Sequence, residues 1–193
     1  MDVLLAEIRR PYRDLDRILK GKDFHIVTTN QDTQFVKLYP EEKVSEIQGD
    51  HRFFQCSRCC QDDTWDAAGP VNDMIRAMGE GTSVPAEMIP RCPHCGAEAF
   101  PWVSGYGNFL QGRKYDGEYQ KISKYIQRNR DRRILFLELG VGRMTPGIVK
   151  FSFWRMTAEN PWAVYACVNL GEAKAPREIA NRSICIDGDI GEV

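Results

Sequence analysis

No uninterrupted apolar run approaches the roughly 20 residues that a bilayer-spanning helix needs, so no stretch reads as a transmembrane segment. Charge of one sign is also missing. The 193 residues carry 26 Lys and Arg against 27 Asp and Glu, a net charge of −1. That balance offers no global attraction to nucleic acid or to an anionic membrane. Met1 to Lys20 is charged throughout and lacks the apolar centre of a signal peptide. There is no internal repeat and no low-complexity segment, and no third glycine follows Gly140-Val-Gly142 at the spacing of a dinucleotide fingerprint. What remains is 42% hydrophobic and 27% charged, the composition of a soluble globular chain, with length for one ordinary domain and a small insertion.

Cysteine, by contrast, is clustered. Phe54-Gln-Cys-Ser-Arg-Cys-Cys60 and Arg91-Cys-Pro-His-Cys-Gly96 each hold a close pair. Thiolates two or three residues apart on a tight turn can grip one metal ion, and two such turns supply the four sulfurs of a closed tetrahedral zinc site. Cys56, Cys92 and Cys95 are three of the expected ligands. Adjacent side chains do not easily face one ion, so the fourth is either Cys59 or Cys60. His94, in the middle of the second turn, is expected to face outward. An odd cysteine count at metal spacing, without a secretion signal, points to a reducing cytoplasm rather than a disulfide framework. Cys167 and Cys185, in apolar strand-like runs, read as core thiols.

Taken in order, the chain suggests an open parallel sheet. Met1 to Gly21 reads as helix, with Leu4, Leu5 and Ile8 in one stripe, a break or restart at Pro11, and Leu15, Ile18 and Leu19 continuing an apolar face. Phe24–Thr28 is a buried strand ending in the polar turn Thr29-Asn30-Gln31-Asp32. Lys43–Ile47 is a second strand, ending in Gln48-Gly49. Helices are expected over Ala67–Met78 and Tyr115–Arg128, the latter with Tyr119, Ile122, Tyr125 and Ile126 inward. Between them Ala97–Leu110 has no clear period and reads as loop. The basic run Lys121, Lys124, Arg128, Arg130, Arg132 and Arg133 reads as a solvated helix end. Ile134–Leu139 is a strongly apolar strand opening into Gly140-Val-Gly142-Arg-Met-Thr-Pro146, which should start a helix through Ile148 and Val149. Ala163–Val168 and Arg182–Ile186 are further strands, ending in Asn169 and Asp187-Gly-Asp189. The expected fold is α/β, a partial Rossmann-like parallel sheet with an inserted zinc-ribbon module: residues 1–55 and 134–193 form the nucleotide-binding part and 56–133 the insertion with a helical connection. In such a sheet the carboxyl ends of the strands line the ligand crevice.

Several of these motifs, in this order, resemble the sirtuins. Thr29-Asn30-Gln31-Asp32 looks like that family's Thr-Gln-Asn-Ile-Asp loop, and Ile47-Gln48-Gly49 falls where it has His-Gly. The paired cysteine turns follow. Leu139–Pro146 resembles the later nucleotide loop, Val168-Asn169 the strand end that holds a ribose, and Gly188-Asp189-Ile190 the adenine-side turn. The likeness runs from about Phe24 to the end and is nearest the microbial class M branch, whose first pair is C-x-x-x-C; that favours Cys60 over Cys59. The resemblance implies cleavage of the nicotinamide–ribose bond of NAD as co-substrate. It implies Asn30, Asp32 and Gln48 as catalytic, and Thr29, Asn30, Asp32, Gly140, Val141, Gly142, Thr145, Asn169, Leu170 and Ile190 as NAD contacts. It implies structural zinc on the thiols and a protein acceptor, a lipoyl-carrier protein in class M.

Two departures shape the expectation. The family's deacylases use histidine where this chain has Gln48, and an amide cannot take a proton near neutral pH. ADP-ribosyl transfer is therefore expected ahead of deacylation. The sequence also opens without the family's strand and Gly-Ala-Gly-x-Ser pyrophosphate loop, so this polypeptide alone is expected to bind NAD poorly. The competing reading is a non-catalytic zinc-ribbon module that grips nucleic acid or protein through the basic run, Trp102 and Tyr106.

Overall fold

The computed structural model describes residues 7–105, 107–142 and 146–192. The chain divides into two compact units, Met1–Ser123 and Lys124–Val193. The division falls within one long helix, and each unit has its own core.

The first unit opens with α1 (Arg10–Leu19), followed by β1 (Ile26–Thr28), the short α2 (Gln34–Leu38) and β2 (Val44–Glu46). Glu7, Ile8 and Arg9, expected to be helical, lie outside the helix, which starts at Arg10 next to the expected restart at Pro11; Leu4 and Leu5 lie outside the described residues. Pro11 sits in the first turn, the one place in a helix where its missing N–H and fixed φ do no harm. β1 and β2 pair in parallel, with Thr28 opposite Glu46. Ile26, Tyr39 and Val44 form the buried cluster here, with Leu19 and Phe24 against it. Ile18, expected on the inner face of α1, is exposed.

An antiparallel sheet of order β4-β3-β5 follows: β3 (Gly49–Cys56), β4 (Thr64–Asp66) and β5 (Ala99–Val103). β5 corrects the loop expected over Ala97–Leu110 at Ala99–Val103 only; the described residues after it are turn and loop as expected. The β5 run Ala-Phe-Pro-Trp-Val is apolar throughout and lacks the apolar–polar alternation by which a strand is usually recognised. α3 (Ala68–Met78) packs Val71 and Met74 on Phe54, Ala67 and Ala99. α4 (Arg113–Asn129) closes the unit. Of its expected inner face, Ile122, Tyr125 and Ile126 are half-buried, Ile126 packing on a core, but Tyr119 is exposed and Glu118 is buried instead.

In the second unit β6 (Ile134–Leu139), β7 (Ala163–Val168) and β8 (Ser183–Ile186) form a parallel sheet in that order. Phe136, Ala163, Tyr165, Cys167 and Ile179 make its core, with Phe153, Trp154 and Met156 of α5 (Lys150–Glu159) against them. The helix expected through Ile148 and Val149 begins one residue later, at Lys150, after a turn from Pro146. Cys167 is a core thiol, but Cys185 is exposed, because β8 is an edge strand with most of its residues open to solvent. Among the described residues the five strands expected in one sheet hydrogen-bond as a pair and a triplet, not as one ladder. No helix among the described residues is long and apolar enough to cross a membrane.

Candidate functional site

Parallel pairing of β1 and β2 sends both strands out at the same edge. The Ile47 N–H donates to the Thr28 carbonyl at 3.2 Å, which sets the loop after β1 beside the link from β2 to β3. The loop is shaped by its own side chains. The Asn30 N–H donates to Thr28 Oγ1 at 2.9 Å. The Gln34 N–H donates to Asp32 Oδ1 at 3.3 Å, so Asp32 caps the short helix that follows. Thr33 between them is left-handed at φ 59°, a strained conformation for a β-branched residue.

Contacts from elsewhere lock this loop. The Tyr12 hydroxyl, reaching in from α1, donates to Asp32 Oδ2 at 2.8 Å and accepts from Asn30 Nδ2 at 2.8 Å. The Gln31 amide donates to the carbonyls of Gln48, at 3.3 Å, and Ser104, at 3.0 Å. The structure thus gathers Asn30, Asp32 and Gln48 through two residues, Tyr12 and Gln31, that the sequence did not single out as functional. No signal in the sequence pairs Tyr12 with Asp32, since nothing local fixes where α1 docks. Thr29 is half-buried within the same loop. Gly49 is required here: at φ +86°, an added Cβ would lie 1.9 Å from the Trp102 carbonyl oxygen.

Below this edge lies a network of ionisable groups that the sequence did not announce, with Asp50, Glu46 and Glu118 buried and Glu41 exposed. Arg52 pairs with Asp50, with Glu46 at 3.2 Å and with Glu41 at 2.8 Å. Glu118 accepts from the Glu46 N–H at 3.0 Å and pairs with Lys121 at 2.6 Å. Burial, and then the proton shared with Asp50, push the Glu46 carboxyl up to about 9, against the opposing pull of Arg52.

The cysteines form a second centre in this unit. Cys56 ends β3. Its turn is closed by the Cys59 N–H on the Cys56 carbonyl at 2.9 Å, and the second turn by the Gly96 N–H on the Cys92 carbonyl at 3.0 Å. The sulfurs of Cys56, Cys60, Cys92 and Cys95 all lie within 4.8 Å of one another, with Cys56 to Cys95 and Cys60 to Cys92 at 3.6 Å. A tetrahedron with metal–sulfur bonds of about 2.3 Å has sulfurs about 3.8 Å apart, so this donor set fits a four-thiolate metal ion. Backbone N–H groups of Cys60 and Arg58 draw the Cys56 thiol down to about 6. Desolvation, and then sharing with its three neighbours, push Cys60 up to about 12. Cys59 stands apart, at positive φ, with Asn108's carbonyl oxygen 3.5 Å from its sulfur. The His94 ring turns to Asp63 at 3.0 Å, while its N–H donates to Cys92 Sγ at 3.4 Å.

In the second unit the carboxyl edge of the sheet brings together Gly140, Val141, Asn169 and Ile190. The Gly140 N–H donates to the Val168 carbonyl at 3.0 Å, and Asn169 Nδ2 donates to the Val141 carbonyl at 2.9 Å. Gly140 has φ +65°, and an added Cβ would press on Ile190 at 2.6 Å. Leu170 stands exposed next to Asn169. Gly142 continues the loop from Val141, and Thr145 lies outside the described residues. Behind this edge Glu138 and Lys150 make a fully buried ion pair at 3.2 Å, and the Tyr165 hydroxyl donates to Glu138. Burial and that carboxylate hold the Tyr165 phenol well above its ordinary range.

The reading as a nucleic-acid module loses its platform. Trp102 is 1% exposed, its indole N–H donating to the Leu110 carbonyl, so it offers no face to a base; Tyr106 lies outside the described residues. Lys121, in the basic run, is engaged by Glu118 and the carbonyls of Glu41 and Val44.

Fold and thiol cluster together define a mixed α/β protein with parallel sheets and a four-cysteine set of metal-binding geometry. No family model matches the chain. It is 32% identical, over 98% of its own length, to a protein ADP-ribosyltransferase of Staphylococcus aureus, and 30% identical, over 89%, to a probable bifunctional ADP-ribose hydrolase/ADP-ribosyltransferase of Fusarium oxysporum. The chain spans 61% of the first relative's length and 30% of the second's.

Proposed function

We propose that this chain belongs to a sirtuin-like, NAD-dependent protein ADP-ribosyltransferase of the class M type. The observation that carries the reading is the 32% identity to a protein so named, across 98% of this chain. The strand-edge loop that gathers Asn30, Asp32 and Gln48 supports it.

In the proposed reaction the bond between the nicotinamide nitrogen and ribose C1′ breaks, and its electron pair leaves with neutral nicotinamide. The acceptor's nucleophile donates a pair to C1′ and gives its proton to solvent. Positive charge grows on the ribose as the bond opens, and Asp32 and Asn30 are assigned to that end of NAD. Gln48 lies beside the ribose hydroxyls as a hydrogen-bonding group, and Thr29 lines the same loop. Because Gln48 cannot act as a base, the acceptor supplies a nucleophile that needs little help. Gly140, Val141, Gly142, Thr145, Asn169, Leu170 and Ile190 are assigned to the adenosine half, where backbone N–H groups and small side chains allow close approach.

Zinc is assigned to Cys56, Cys60, Cys92 and Cys95 as a structural ion holding the two turns together. Residues 1–55 and 134–193 are assigned to nucleotide binding and 56–133 to the zinc-bearing insertion and helical connection, in a cytoplasmic protein. The proposed acceptor is a lipoyl-carrier protein. The test is incubation of the native protein with NAD labelled in its adenosine half, together with a lipoyl-carrier protein. Label on that acceptor supports the reading, and label that stays entirely in small molecules contradicts it.

A further inference from the structure

We propose that Tyr12 is a positioning residue that sets the side-chain orientations of Asn30 and Asp32; the inference rests on the function proposed above. The Tyr12 hydroxyl has one proton and two polar neighbours, Asp32 Oδ2 and Asn30 Nδ2, each at 2.8 Å. An ionised carboxylate only accepts, so the proton goes to Asp32. The hydroxyl then has only lone pairs to offer Asn30, and the near group of that amide must be its NH2. Asn30 Oδ1 is thereby turned away from Tyr12, and no hydrogen bond falls on it among the described residues. The amide therefore presents a carbonyl acceptor, not a donor, at the mouth of the loop.

Asp32 is held from both sides. One oxygen takes the Tyr12 proton and the other the Gln34 N–H at 3.3 Å. Tyr12 is itself anchored, its ring edge-on to Phe35 of α2 with centroids 4.8 Å apart. A second tie runs in parallel, from the Arg9 N–H to Gln34 Oε1 at 3.1 Å. The next residue, Thr33, is left-handed, and its buried Oγ1 has no hydrogen-bond partner. A strained conformation persists only where its surroundings over-determine it, and Tyr12 is one of those restraints. Burial, and then the neighbouring Asp32, push the Tyr12 phenol up to about 12, so it stays a proton donor at physiological pH.

The test is Tyr12→Phe in the native protein, which removes one oxygen and keeps the ring against Phe35. The expected result is a roughly 10-fold or greater fall in kcat for ADP-ribosyl transfer, as misplacement of reacting groups produces. The Kd for NAD by calorimetry should move by less than about 3-fold, since only orientation is lost. The thermal midpoint should move by no more than about 3 °C. A cycle with Asn30→Ala supplies the readout that a merely structural role would not move: the double variant should lose far less than the product of the two single losses. Wild-type kcat in Tyr12→Phe, or losses that multiply, would overturn the inference while leaving the proposed function intact. A full-length native wild-type protein, rather than this polypeptide alone, that neither binds NAD nor releases nicotinamide would instead remove the proposed function beneath it.

Discussion

Cys60 Sγ lies 3.6 Å from Cys92 Sγ, although 32 residues separate them along the chain. Four thiolates at this spacing would repel one another without a cation among them, so the proposed zinc is expected to hold the two turns together. Cys60→Ser and Cys92→Ser are expected to lose bound zinc, measured by atomic emission on the purified native protein, while Cys59→Ser keeps it. Chelation should also erase the far-ultraviolet signal of β3, β4 and β5. Retention of zinc by Cys60→Ser together with its loss from Cys59→Ser would reverse the assignment.

Glu46 predicts the sign of a pH dependence. It faces Asp50 and Arg52 of β3 and Glu118 of α4; Arg52 in turn pairs with Glu41 before β2, and Glu118 with Lys121. Its carboxyl titrates at about 9 in the folded protein, against 4.5 ordinarily. Between those values the folded state holds a proton that the unfolded state has released. Stability from this group is therefore present at low pH and is lost as pH rises through the window. The thermal midpoint should decline from about pH 5 toward 9, and Glu46→Gln should flatten that decline. An unchanged slope in Glu46→Gln would contradict the account.

Much of this was legible in the sequence. β6 is an apolar run broken only by Glu138 and stopped by Gly140, β7 is a continuous apolar run stopped by Asn169, and the bounds of both match the expectation at both ends. Cysteine spacing announced the thiol cluster, though adjacency left Cys59 and Cys60 level. The resemblance to class M favoured Cys60, and the fold brings Cys60 into the cluster while sending Cys59 to the Asn108 carbonyl. β5 was hidden because Ala99-Phe-Pro-Trp-Val103 is apolar throughout and shows no period of two. Tyr12 and Glu118 were missed for a different reason: their partners lie 20 and 72 residues away. A polar residue on a helix looks solvated until the helix is docked.

Glu138 and Lys150 are each almost wholly buried, so neither charge can be removed alone without leaving the other unpaired. Lys150→Met is expected to lower unfolding free energy by about 3–5 kcal/mol, read from urea unfolding of the native protein. Adding Glu138→Gln should restore more than half of it, because the amide still accepts from the Tyr165 hydroxyl. A neutral Lys150→Met would show that the pair carries no such dependence.

Parallel counting of products bears most directly on the chemistry. The native protein, given NAD and a lipoyl-carrier protein, should release one nicotinamide for each ADP-ribose found on protein by mass spectrometry, and Asn30→Ala should lower both rates in the same proportion. Nicotinamide released with no ADP-ribose on any protein, or transfer undiminished in Asn30→Ala, would contradict the account.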